Sequence, residues 1–110
     1  MANFNEIFEE IKKSVVTLAE TTVRKYKTEA VKEAQALLKT IKPNLKRWAD
    51  LLADGAITTV EFEWLVASYK EQAKMKALEK AGLGITRVHQ FAMGVLNTAI
   101  DVVFQKVLVK

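Results

Sequence analysis

The chain has 110 residues, half of them hydrophobic and 27% charged, a balance that excludes a disordered or collagen-like polymer and fits one domain spanning 1–110. It contains no Cys, which excludes a disulfide framework and any thiolate metal site. The net charge of +4 is divided into blocks of alternating sign: −2 over 1–23, +6 over 24–47, −4 over 48–64, +3 over 65–87 and +1 beyond.

With one Pro and four Gly, the expected fold is all-α and bundle-like. Asn3 and Glu6 are spaced as a capping-box pair in front of an apolar series that steps by threes and fours from Phe4 to Ile41. The series predicts one long helix over about 4–41, roughly 55 Å at ~1.5 Å per residue. Its weak point is the β-branched cluster Thr21-Thr22-Val23, where a bend or break is expected. Lys25, Lys32, Lys39 and Lys46 recur every seven residues and form a basic ridge away from the apolar stripe. A ridge of this kind ordinarily faces solvent.

Lys42-Pro43 is expected to end this helix, because the residue before Pro is pushed out of the α region. Pro43 then opens a short helix over 43–53, which Asp54-Gly55 stops. The next start combines a Thr58/Glu61 capping box with Ile57 and Phe62 at the positions of a hydrophobic staple. The third helix is expected over 59–81 with two apolar stripes, each covered by a packing neighbour. One is Phe62, Leu65, Val66, Tyr69 and Ala73; the other is Val60, Trp64, Ala67, Met75 and Leu78. Gly82-Leu83 reads as a Schellman ending, after which Gly84 lets the chain reverse into a final helix over 85–108.

That last helix is unusually apolar. Arg87, Gln90, Asn97, Asp101 and Gln105 fall on one narrow polar strip, with Gly94 and Thr98 among them, and most of the remaining girth is hydrophobic. A lone bundle should leave each helix an outer face in water. Phe91, Val95, Leu96, Ile100, Val103, Phe104 and Val107 are therefore expected to form an interface between copies, making the protein a non-enzymatic homo-oligomeric assembly component. The −4 and +6 blocks would then pair between subunits. The competing reading is membrane action, as a pore or at the membrane surface. The polar strip would line a lumen, and the basic block would meet anionic headgroups.

No catalytic, cofactor or substrate signature is found. The single His89 lacks the Glu-x-x-His pairing of a di-iron bundle, Ser14 and Ser68 lie within helices without a base, and no Gly-rich phosphate loop occurs. Residues 50–61 can be laid on a calcium loop through Asp50, Asp54, Gly55, Ile57 and Glu61, but Leu52 stands at the third ligand position. Nucleic-acid binding is disfavoured, because the basic block is mostly Lys with only Tyr26 and Trp48 interleaved. The N-terminus shows no basic-then-apolar leader pattern, so a cytoplasmic location is expected.

Leu51, Gly55, Ile57, Thr58, Glu61 and Phe62 together resemble the helical hairpin of the SHOCT domain, over residues 48–66. Where that family usually carries a Lys a few residues after the Phe, this chain has Trp64, Leu65 and Val66. SHOCT-like hairpins serve in oligomerisation and interaction, and the resemblance implies such a role here.

Overall fold

The computed structural model describes residues 3–108. The fold is all-α, 86% helical, and measures 43 × 23 × 18 Å. Its elements are α1 (Phe4–Thr22), α2 (Lys27–Ala53), α3 (Thr59–Ala67), α4 (Lys76–Ala81) and α5 (Ile85–Val107). Short 3-10 turns cover Arg24–Tyr26 and Ser68–Glu71.

The Asn3 side chain starts α1 by accepting the Glu6 N–H at 3.0 Å. The helix predicted over 4–41 is broken at Val23, inside the β-branched cluster. Two causes are local. Thr21 and Thr22 turn their hydroxyls back onto the carbonyls of Thr17 (3.1 Å) and Leu18 (2.6 Å), a pattern that bends helices. The third cause is tertiary, because the Arg87 guanidinium donates to the Thr22 carbonyl at 2.9 Å and satisfies an orphan acceptor at the break. Val23 itself is buried. A straight helix over 4–53 would be about 75 Å long; folding it back as a hairpin packs α1 on α2 within the 43 Å length of the molecule.

The second boundary also differs. The chain does not stop at Lys42-Pro43; α2 runs through Pro43 to Ala53. Pro43 and Lys39 are both exposed, so the Lys39 carbonyl left without its N–H partner sits on the water side of the helix. Two glycine stops follow the expected pattern. At Gly55 (φ 76°) the N–H groups of Ala56 and Gly55 reach the carbonyls of Leu51 (2.9 Å) and Leu52 (3.1 Å). At Gly82 (φ 111°) those of Leu83 and Gly82 reach Leu78 and Glu79, both at 3.1 Å.

The helix predicted over 59–81 is divided at residues 68–75. In an unbroken helix Met75 and Leu78 would point about 180° away from Val66 and Tyr69. The 3-10 turn and the irregular link rotate them inward, and all four are buried. Tyr69 is held there by the Asn44 amide, which donates to its hydroxyl at 2.7 Å, and by Trp48, whose ring centre is 6.0 Å away.

The buried side chains form one apolar cluster, with no polar or charged residue buried among the described residues. The last helix is its centre. The buried residues of α5 span an arc of about 180° and face α1, α2 and α3.

Candidate interaction surface

The residues predicted to join copies through α5 belong to the interior of a single chain. Phe91, Val95, Leu96, Ile100 and Val103 are buried, while Phe104 and Val107 are half-buried against the same cluster; Phe104 lies 5.6 Å from the Phe62 ring centre. The expectation failed because it counted the girth of α5 without its neighbours. The α1–α2 hairpin and the short α3 enclose half of that girth, and the polar strip supplies the outer face. Arg87, Gln90, Asn97, Asp101 and Gln105 are exposed. Gly94 is half-buried instead, with Leu18 of α1 so near that a Cβ at Gly94 would lie 3.1 Å from Leu18 Cδ2.

The lipid-facing surface required by a pore is occupied in the same way. Among the described residues no helix is long and apolar enough to cross a membrane.

What is exposed is the start of the second apolar stripe of the third predicted helix. Val60 is 48% and Trp64 70% exposed, one turn apart on α3. They lie on the side opposite Phe62 and Val66, which are fully buried. Leu51, at the end of α2, adds a third exposed apolar side chain to the same α2–α3 elbow. The elbow is built tightly. Thr58 and Glu61 form both bonds of the capping box, Glu61 N–H to Thr58 Oγ1 at 3.1 Å and Thr58 N–H to Glu61 Oε1 at 2.9 Å. Ile57 packs at the edge of the core near its staple position.

Asp50, Asp54, Glu61 and Glu63 surround this corner, all exposed. Asp50, Asp54 and Glu61, the carboxylates laid on a calcium loop, do not converge. The Glu61 carboxylate is engaged by the Thr58 N–H, and Asp50 takes Lys46 at 3.3 Å. Among the described residues no group of three or more Asp, Glu, His or Cys is placed to hold a metal ion. His89 is exposed on α5.

The basic ridge is also on the surface. Lys25 lies in the 3-10 turn after α1, while Lys32, Lys39 and Lys46 follow one another along α2, all exposed. Lys46 is engaged by Asp50. Among the described residues, Lys32 and Lys39 on the ridge, and Asp54 and Glu63 on the elbow, belong to no ion pair.

No family model, curated protein or solved structure matches the chain.

The sequence contained the signal for this surface in the second stripe of 59–81. Reading both stripes as covered missed it, because the break at 68–75 takes Met75 and Leu78 inward and leaves Val60 and Trp64 behind.

Proposed function

We propose that the protein is a non-enzymatic helical interaction protein that self-associates through the α2–α3 elbow rather than through α5. The observation behind this reading is Trp64, 70% exposed beside Val60 at 48%, in an acidic surround. Tryptophan is the residue most enriched among interface anchors, and a large apolar side chain held in water by a rigid helix favours a partner. The occupant is the cationic face of α2 in a second copy. Its Lys32 and Lys39 complement Asp54 and Glu63, and their long aliphatic stems cover apolar surface while the ammonium groups reach the acidic rim. When each copy offers both faces the contact is reciprocal and closes as a dimer. The likeness of residues 48–66 to the SHOCT hairpin points to the same kind of role.

Light scattering over a concentration series tests the proposal. The expected result is a dimer at about 50 mM salt that weakens at about 500 mM, where the screening length falls several-fold. Trp64→Lys should give a folded monomer. Lys39→Glu should weaken the dimer, and adding Glu63→Lys to it should restore binding. A wild-type monomer at all concentrations and salts refutes the proposal, as does a dimer indifferent to Trp64→Lys.

A further inference from the structure

The break between α1 and α2 occurs where the chain has no helix breaker. Residues 21–27, Thr-Thr-Val-Arg-Lys-Tyr-Lys, contain neither Gly nor Pro, and the bend is a single 3-10 turn over Arg24–Tyr26. The buried residues nearest the bend on its two sides are also in phase. Ala19 is the last buried residue of α1 and Ala30 the first of α2. Eleven residues at about 100° each bring them within about 20° of one face if the helix runs straight. Residues 4–53 can therefore take two conformations, a hairpin and one continuous rod on which the buried positions of α1 and of α2 each keep a band of about 120°, the two bands meeting at the bend.

Side-chain contacts at the bend and from elsewhere in the fold favour the hairpin. The Arg87 guanidinium clasps the Thr22 carbonyl at 2.9 Å, Lys27 pairs with Glu20 at 3.6 Å across the bend, and Val23 is buried beneath it. Tyr26 leans toward Gly82, where a Cβ would lie 3.5 Å from its hydroxyl. These few contacts are what straightening gives up, because the seat of α1 against α2 and α5 is rebuilt when the α1 of a second copy fills it.

We propose that the protein forms an exchanged dimer, in which residues 4–53 straighten into one helix and each α1 occupies the α2–α5 groove of the other copy. The elbow and the cationic face of α2 lie outside the bend, so this mode is independent of the contact proposed above. The two also differ in salt response. Exchange brings together the two bends, each carrying Arg24, Lys25 and Lys27, against Glu20 of each chain. Their repulsion is relieved by salt, so exchange is promoted by salt whereas the elbow contact is weakened.

The test uses the whole chain, concentrated, warmed to near its melting point and cooled, then sized by light scattering. Because the chain has no Cys, spin labels can be placed at Glu9→Cys and Lys39→Cys, and the labelled protein diluted into excess unlabelled chain before warming. In the hairpin the labels sit on neighbouring packed helices, whose axes run about 10 Å apart; in the rod, thirty residues separate them by about 45 Å. The expected result is a dimer showing the long distance. Arg87→Ala should lower the dimer dissociation constant about tenfold or more. Arg24→Pro suits the first position of a turn but disrupts a continuous helix, and it should disfavour the rod by roughly a hundredfold per chain. Arg24→Gly replaces it if the Pro variant does not fold. Absence of a dimer, a dimer that keeps the short distance, or undiminished exchange in the folded Arg24 variant overturns the proposal.

Discussion

Leu96 is fully buried at the middle of α5, and it decides whether this helix is interior or interface. Replacing it with Ala removes three carbon atoms from a packed site enclosed by the α1–α2 hairpin and α3. Truncations of this kind cost about 2–5 kcal/mol, and about 3 kcal/mol is expected here. At ~2.1 cal/mol/K per residue, the unfolding entropy of a 110-residue chain is about 0.23 kcal/mol/K. The melting temperature should therefore fall by about 13 °C, out of a total stability of the order of 5–15 kcal/mol. Thermal unfolding by circular dichroism at two protein concentrations measures this, with exposed Asn97→Ala as the control, expected within about 0.5 kcal/mol of wild type. The fall should not depend on concentration, and the oligomeric state below the transition should not change. A Leu96→Ala protein that melts like wild type yet loses an oligomer would refute the placement of α5 in the core of one chain.

Pro43→Ala should restore the missing bond to Lys39 in a solvent-facing turn of α2 and raise the melting temperature by several degrees; a fall would show that the proline is needed to shape the helix. Gly82→Ala places a side chain at φ 111° beside Tyr26 and should cost at least ~1–2 kcal/mol in urea titration. Gly94→Ala, by contrast, gains helix propensity and asks Leu18 to yield a few tenths of an ångström. It should stay within about 1 kcal/mol of neutral, and a larger loss would mean that α1 cannot shift. Thr58→Ala removes one bond of the capping box and should cost about 1 kcal/mol with an unchanged denaturant slope.

The local grammar of this chain was readable before its fold. Asn3, Thr58 with Glu61, Gly55 and Gly82 act on backbone groups within a few residues, and each stands at a helix end where its chemistry predicts. The all-α class was equally legible from periodicity. What was hidden depends on contacts between distant residues. Thr21-Thr22-Val23 marked the weak point of the first helix, but Arg87, sixty-five positions from Thr22, makes the break a defined one. Nothing local to 72–75 announces that the chain must turn there to bring Met75 and Leu78 inward. Pro43 misled in the opposite sense: long-range packing of Ile41, Leu45 and Ala49 on one stripe carries α2 past a residue that would end an isolated helix. The surface followed from these errors, since Trp64 was counted as covered and Leu96 as uncovered.

Among the described residues the interior carries no charged or amide side chain, and its one hydroxyl, on Tyr69, is held by Asn44 at its edge. Leu, Ile, Val and Met in such a core can be exchanged for one another with little loss, provided the total volume is kept. The geometry of the fold is set instead at its corners, where a left-handed glycine or a reciprocal cap admits few substitutes. Kin of this chain can therefore drift far apart along their helices, and what they hold in common would be the punctuation at Gly55, Thr58, Glu61 and Gly82.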